Sequence, residues 1–402
     1  REEGRDYYEA DVDAQRVFVH RQVMNVGLLD LAEKVSRADC ERALTEVAEV
    51  TLEAALEIAR REVERVRPPG PGARGARLLV VGMGKLASRE LSYGSDLDLI
   101  FLYDLPPERE EDRLAAQEHC VRVAQRLISA LETPTAEGSC YEIDSRLRPS
   151  GNQGALVTSL TGLRAYYEGD AQVWERQALL RARPVAGDRT AAASGDLTAV
   201  ASGDLTAVAS GDLGGGGGGS VAEAFEALRR EALRRPLPPD AAAEVHRIRL
   251  RMEAELAGES RDRRDLKRGR GGLLDVESAV QLLQLRHGGE APELHDVERA
   301  EEMIERLAAR GLLPRERARA LAEGWEFLQR LASRLRIVEN RSISELDAGS
   351  PDLDVVARRL GYGAGAREAS ARSALLRDYA RHTEAIRAAY LAILGVAEGG
   401  VG

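Results

Sequence analysis

The strongest constraint in this sequence is the apolar run Leu97-Asp-Leu-Ile-Phe-Leu-Tyr103, which carries an acid at Asp98 and begins just after another at Asp96. Such a run reads as a buried strand. Strand side chains alternate between faces, so Asp96 and Asp98 project the same way. Two parallel carboxylates in an apolar strand repel each other and resist burial. A divalent cation relieves that conflict, and Mg²⁺ favours carboxylate oxygen combined with phosphate oxygen and water. The plainer reading is a solvated strand end with Asp96 capping the preceding turn. Leu97, Leu99, Ile100 and Phe101 speak for burial and against it.

The residues upstream add a second element. Ala76 to Val81 is a short apolar run that reads as another strand, and it ends in Gly82-Met-Gly84-Lys85. Glycines between a strand and a helix expose backbone N–H groups suited to phosphate, and Lys85 adds a point charge. A Walker A loop is excluded, because Leu79 stands where its first glycine belongs and Leu86 replaces its Ser/Thr. The dinucleotide fingerprint Gly-x-Gly-x-x-Ala is met by Gly82, Gly84 and Ala87, with Asp104 at a plausible distance for a ribose contact. That alternative leaves Asp96 and Asp98 without a task. Two ions need more ligands than two side chains supply, and Tyr141-Glu-Ile-Asp-Ser-Arg-Leu-Arg148 offers a third. A strand from Ser139 to Leu147 would put Glu142, Asp144, Arg146 and Arg148 on one face. Asp144 is then the candidate ligand, and Arg146 and Arg148 are candidates for phosphate oxygens. A solvent-facing polar strand face is the competing reading.

Around this core the chain divides by composition. Residues 1–70 read as a helical segment, with Thr51 to Arg65 apolar at helical spacing, and Pro68-Pro-Gly-Pro-Gly72 stops it. Residues 71–189 alternate strand and helix, including a long helix from Arg113 to Leu131. In 190–220 an octapeptide beginning Ser194-Gly-Asp-Leu occurs twice, starts again at Ser210, and runs into Gly214–Gly219. Too few copies are present to stack into a core, so the segment reads as a disordered, low-complexity linker. Residues 221–396 read as a bundle of five or six helices, and 397–402 as a flexible tail. The fold class is therefore α+β, predominantly α. Aromatic residues make up only 4%, so the cores fall to Leu, Val and Ala.

A net charge of −10 argues against a nucleic-acid polymer as substrate. No apolar run reaches the roughly 20 residues that span a bilayer. Cys40, Cys120 and Cys140 lack metal or disulfide spacing and read as reduced thiols of a cytoplasmic protein. The sequence opens at Arg1 without an initiator Met, as a piece of a longer protein would.

Gly84-Lys85, ten residues, then Asp96-Leu-Asp98 resembles the signature of the DNA polymerase β-type nucleotidyltransferase superfamily. The fuller resemblance is to the glutamine synthetase adenylyltransferases. It is carried by Gly-Met-Gly-Lys-Leu, Ser95 to Phe101, Asp144 to Gly151, Trp174 to Asp188 and Leu266 to Glu277. The sequence departs from that family at Ala87-Ser88, Ser92 and Ser278. The resemblance implies a polymerase β-like nucleotidyltransferase domain followed by a helical bundle. It implies ATP as substrate, two Mg²⁺ ions on Asp96, Asp98 and Asp144, and a tyrosine of glutamine synthetase as acceptor. Gly82, Gly84, Lys85, Gly94, Ser95, Arg146 and Arg148 would bind the nucleotide. Lys267, Asp275 and Glu277 of the helical domain would complete the site, although acids at a helix start need no further reason. Glutamine and a PII-type signalling protein would regulate it. Members of the family pair one half that adds AMP with one that removes it by phosphorolysis. Arg148-Pro-Ser-Gly151 and Trp174 to Leu179 resemble the adding half; the removing half is the alternative.

Overall fold

The computed structural model describes residues 3–189, 220–260, 262–339, 345–363 and 370–397. The repeat, the glycine run and residues 398–402 lie outside the described residues. The chain forms two compact units, Arg1–Ala171 with Arg181–Ala232, and Gln172–Leu180 with Leu233–Gly402. It is mostly helical with a small mixed sheet, an α+β protein.

The first unit opens with two long helices, α1 (Glu3–Leu31) and α2 (Arg37–Val66). Ser36 and Asp39 form a capping box that satisfies N–H groups at the start of α2. The sheet strands are β1 (Arg77–Met83), β2 (Leu97–Asp104), β3 (Ile143–Asp144), β4 (Val157–Ser159) and β5 (Ala182–Gly187). Between them lie the single turn α3 (Gly84–Ala87), α4 (Arg113–Glu132), α5 (Leu160–Gly169) and α6 (Val173–Leu180). The order is β3-β2-β1-β5, and β4 also pairs with β2. β1 is antiparallel to both β2 and β5, whereas β3 and β4 run parallel to β2.

Alternation along β2 sorts its residues. Leu97, Leu99, Phe101 and Tyr103 share one apolar core with Leu44, Leu52 and Leu56 of α2 and Val123 and Leu127 of α4. Asp96 and Asp98 therefore belong to the opposite face of the sheet. The proline-glycine break near residue 70 thus separates elements of one unit. Arg16 of α1, fully buried, ties α1 to the end of α4 by donating to the carbonyls of Ala130 and Thr133. Those carbonyls have no partner within the helix, which is why a buried cation is tolerated there. Cys40 and Cys120 are buried and Cys140 half-buried; burial pushes Cys40 and Cys140 up to about 11 and Cys120 to about 12.

α7 (Val221–Arg234) opens with a cap in which Ser220 Oγ accepts from Glu223 N at 3.1 Å. Ser220, placed with the linker by composition, is therefore part of a helix start.

The second unit contains α6, α8 (Ala241–Leu256), α9 (Leu273–His287), α10 (Ala300–Ala309), α11 (Arg315–Glu339), α12 (Leu353–Arg359) and α13 (Ala371–Leu394). Its core is built around Trp325, Leu328, Leu283, Ile386 and Tyr390. From residue 221 onward the described residues hold seven helices where spacing suggests five or six, because α10 and α12 are short. Two short strands were not anticipated: β6 (Arg263–Asp265) pairs antiparallel with β7 (Glu345–Asp347). Both are largely polar and too short for alternation to register. α6 sits inside the stretch expected to form the α/β domain, yet it packs in the second unit. Val173 joins that core, and Arg176 donates to the carbonyls of Leu233, Arg235 and Pro236. Among the described residues no helix is long and apolar enough to cross a membrane.

Candidate metal centre

β2 and β3 bring three acids together. They pair in parallel with Leu97 opposite Ile143 and Asp98 opposite Asp144. In-register neighbours share a face, so Asp144 joins Asp96 and Asp98. One carboxylate oxygen from each lies within 4.8 Å of the others; Asp96 is exposed, and Asp98 and Asp144 are half-buried. All the donors are hard oxygens, and they leave room for water or phosphate, which fits Mg²⁺ or Mn²⁺.

The route to Asp144 differs from the one expected. The strand covers only Ile143–Asp144 instead of 139–147. It is pinned by Leu97 N donating to Glu142 O at 2.9 Å and by Ile143 N donating to Glu132 Oε1 at 2.9 Å. The chain then turns, so strand alternation does not carry on to Arg146 and Arg148. Arg146 folds back on Asp144, its backbone N–H donating to Oδ1 at 2.8 Å and its Nε to Oδ2 at 2.9 Å. The hydrogen bond to Asp144, the Asp144 charge and then Asp96 and Asp98 raise its pKa above the usual guanidinium range. Arg148 holds its own loop, donating through Nη1 to Ser145 O at 2.7 Å and through Nε to Gly154 O at 3.2 Å. Ser150 and Gly151 in that loop adopt positive φ.

The glycine turn borders the acids. Gly84 has φ +55, and a Cβ there would stand 3.0 Å from Asp98 Oδ2. Gly82, expected among the phosphate-binding glycines, is instead buried inside β1. Its missing Cβ makes room for Leu86 and Val185. α3 is one turn long, so the helix start expected there is only a turn. Lys85 follows Gly84 and is half-buried. Gly94, exposed at φ +64, and Ser95 form the turn before Asp96, where Ser95 Oγ accepts from Ser92 N at 3.2 Å. Gly84→Ala would force an L side chain into a left-handed conformation, costing about 1–2 kcal/mol, and would press on the Asp98 carboxylate. The expected result is a fall of a few degrees in melting temperature and Mn²⁺ binding weakened about 10- to 100-fold. Thermal unfolding and a Mn²⁺ titration measure the two.

The antiparallel pairing of β1 with β2 removes the dinucleotide-fold alternative. That fold needs the two strands parallel around a crossover helix. Asp104, its candidate ribose ligand, is ion-paired with Arg77 at 2.7 Å.

The three residues expected from the helical domain lie in the second unit. Lys267 is exposed, and its backbone N–H donates to Asp265 Oδ1 at 2.8 Å. Glu277 is half-buried on α9. Asp275 is fully buried, with Arg249 Nε 2.6 Å from Oδ1 and with Arg387 Nη1 and Gly271 N at 3.2 and 3.0 Å from Oδ2. Both of its oxygens are thus engaged within the second unit, which gives it a structural task.

Three acids converging from neighbouring strands beside a glycine turn define a candidate centre for metal-assisted phosphoryl or nucleotidyl transfer. Comparison with known proteins narrows this. Residues 2–197 match the family model described as glutamate-ammonia ligase adenylyltransferase, and residues 246–394 match the one described as GlnD PII-uridylyltransferase. A bifunctional glutamine synthetase adenylyltransferase/adenylyl-removing enzyme of Thioalkalivibrio sulfidiphilus (strain HL-EbGR7) is 32% identical over 357 residues, covering 84% of this chain and 33% of the relative. The chain belongs to the glutamine synthetase adenylyltransferase family. It spans about a third of the length of this relative.

Proposed function

We propose that this chain transfers AMP from ATP to a tyrosine of glutamine synthetase and releases pyrophosphate, through a nucleotidyltransferase fold of the polymerase β type. The observation that carries the reading is the meeting of Asp96, Asp98 and Asp144 within 4.8 Å on one face of the sheet. These three would hold a pair of Mg²⁺ ions. When bound, the ions offset phosphate charge and lower the pKa of the acceptor hydroxyl, ordinarily about 10. The tyrosine oxygen forms a bond to the α-phosphorus, the bond to the α,β-bridging oxygen breaks, and the phenolic proton is given up, with Asp144 as candidate acceptor. Lys85, Gly94 and Ser95 border the acids and are the candidate phosphate contacts, with Arg146 able to turn from Asp144 to a phosphate oxygen. Lys267 and Glu277 remain the candidates from the helical unit.

The bifunctional relative is named for both addition and removal of AMP. The Arg148-Pro-Ser-Gly151 loop resembles the adding half, and addition is the direction proposed. The second family match, to a PII-modifying enzyme, supports a PII-type protein as regulatory partner. The work would take place in the cytoplasm. The test is incubation of the chain with ATP, Mg²⁺ and glutamine synthetase, followed by mass analysis of the acceptor. The expected result is one added AMP on a tyrosine, lost when EDTA is present. An acceptor of unchanged mass, together with phosphate-dependent release of ADP from pre-modified glutamine synthetase, would reverse the direction.

A further inference from the structure

Two arginines at the start of β5 hold the glycine turn. β5 runs antiparallel beside β1, with Arg183 opposite Gly82 and Ala182 opposite Met83. The residue before the strand, Arg181, therefore comes level with Gly84, and its carbonyl accepts the Gly84 N–H at 2.9 Å. Its Nη2 donates to Ser88 Oγ at 2.7 Å and to Glu90 Oε2 at 2.6 Å. Ser88 Oγ lies 2.6 Å from Glu90 Oε2 and 3.1 Å from Gly84 O, and Ser88 N donates to Gly84 O at 3.1 Å. Arg183 grips the end of the same turn, donating to Ala87 O at 3.0 Å and Leu86 O at 3.2 Å while pairing with Glu49 of α2. The Gly84 peptide groups are thus fixed on both sides, next to the Asp98 carboxylate.

We infer that Arg181 and Glu90 are positioning residues: their buried ion pair sets the Gly84 turn against Asp98, and so fixes the orientation of that carboxylate and the approach of a nucleotide phosphate. The inference rests on the proposed transfer reaction. Glu90 is 1% exposed and the Arg181 side chain 14%. Burying such a pair gives little net stability, since apolar residues of similar volume commonly do as well. What the charged pair adds is direction, because its short bonds fix the turn where an apolar pair would only fill space.

The test uses the full chain. Arg181→Met, Glu90→Gln and the double variant Arg181→Met/Glu90→Leu are compared with the parent by thermal unfolding, Mn²⁺ titration followed by electron paramagnetic resonance, and steady-state transfer. The double variant keeps the site filled and should melt close to the parent. All three should bind Mn²⁺ about 10-fold more weakly and show a KM for ATP raised by a similar factor. Arg181→Lys, which keeps the charge, should recover part of that loss. Folded variants with Mn²⁺ affinity and KM within two-fold of the parent would overturn the inference. So would unfolding of the double variant, which would make the pair structural. Asp98→Asn serves as the separate control. If it leaves Mn²⁺ binding intact, the metal reading itself falls; if it abolishes binding while the arginine variants do not change it, only the brace falls.

Discussion

Asp98→Asn should fold like the parent and lose AMP transfer by a factor on the order of 10³ or more, the scale set when one group that stabilises developing charge is removed. Asn fills the same volume, so packing in β2 is untouched. It replaces a charged oxygen donor by a weak neutral one at the middle position of the three acids, in register with Asp144 and two residues from Asp96. A hard divalent cation then loses both charge and a ligand. The effect on stability should run the other way. Three carboxylates within 4.8 Å repel, and Arg146 closes on Asp144 from the chain itself. Neutralising one should leave the melting temperature unchanged or raise it slightly, as expected where a site is kept for chemistry at some expense in stability. Asp96→Asn should behave alike, with less change in melting because Asp96 is exposed. Transfer is followed with ATP labelled at the α-phosphate, and folding by thermal unfolding. A variant that keeps more than a tenth of the parent rate, a loss below about 1.4 kcal/mol in barrier, would refute the metal assignment.

Much of this centre is legible in the sequence because its parts are local. Asp96 and Asp98 sit at period two in an apolar run, and the pleat alone puts them on one face. Asp144 stands out as an acid, but its arrival depends on a two-residue strand and a parallel register with β2, neither of which leaves a pattern in the residues. The same limit explains the dinucleotide alternative. Gly82, Gly84 and Ala87 satisfy a spacing, while the direction of β2 relative to β1 is set by pairing that spacing does not encode. The shared strand face expected for Arg146 and Arg148 is absent because a turn replaces the assumed strand. Glu90 and Arg181 are 91 residues apart, so only the sheet order brings them together. In the helical unit, helix spacing conveys the class, but not the β6–β7 pairing across 82 residues.

Asp275 is the position whose replacement should have the largest effect on stability. Its resemblance to a family motif suggests the active site. The structure makes it the centre of a buried network with Arg249 and Arg387, each about 2% exposed, and with Glu253 3.5 and 3.3 Å from those two guanidinium groups. Arg249 Nη2 also donates to Gly269 O at 2.6 Å, which ties the network to the loop preceding α9. The tightness of that loop is visible at Gly271, at φ +70, where a Cβ would collide with Thr383 O. Asp275→Leu leaves two buried guanidinium groups facing one half-exposed carboxylate. The expected loss is about 3–5 kcal/mol, which for a unit of this size lowers melting by roughly 10 °C. The cost comes from cations left unpaired, not from the loss of a favourable pair. Removing them as well, in Asp275→Leu/Arg249→Met/Arg387→Met, should therefore recover most of the stability despite three substitutions. Calorimetric melting of the full chain measures both. A single variant that loses less than about 1 kcal/mol, or a triple variant less stable than the single one, would show that the network contributes through something other than charge balance.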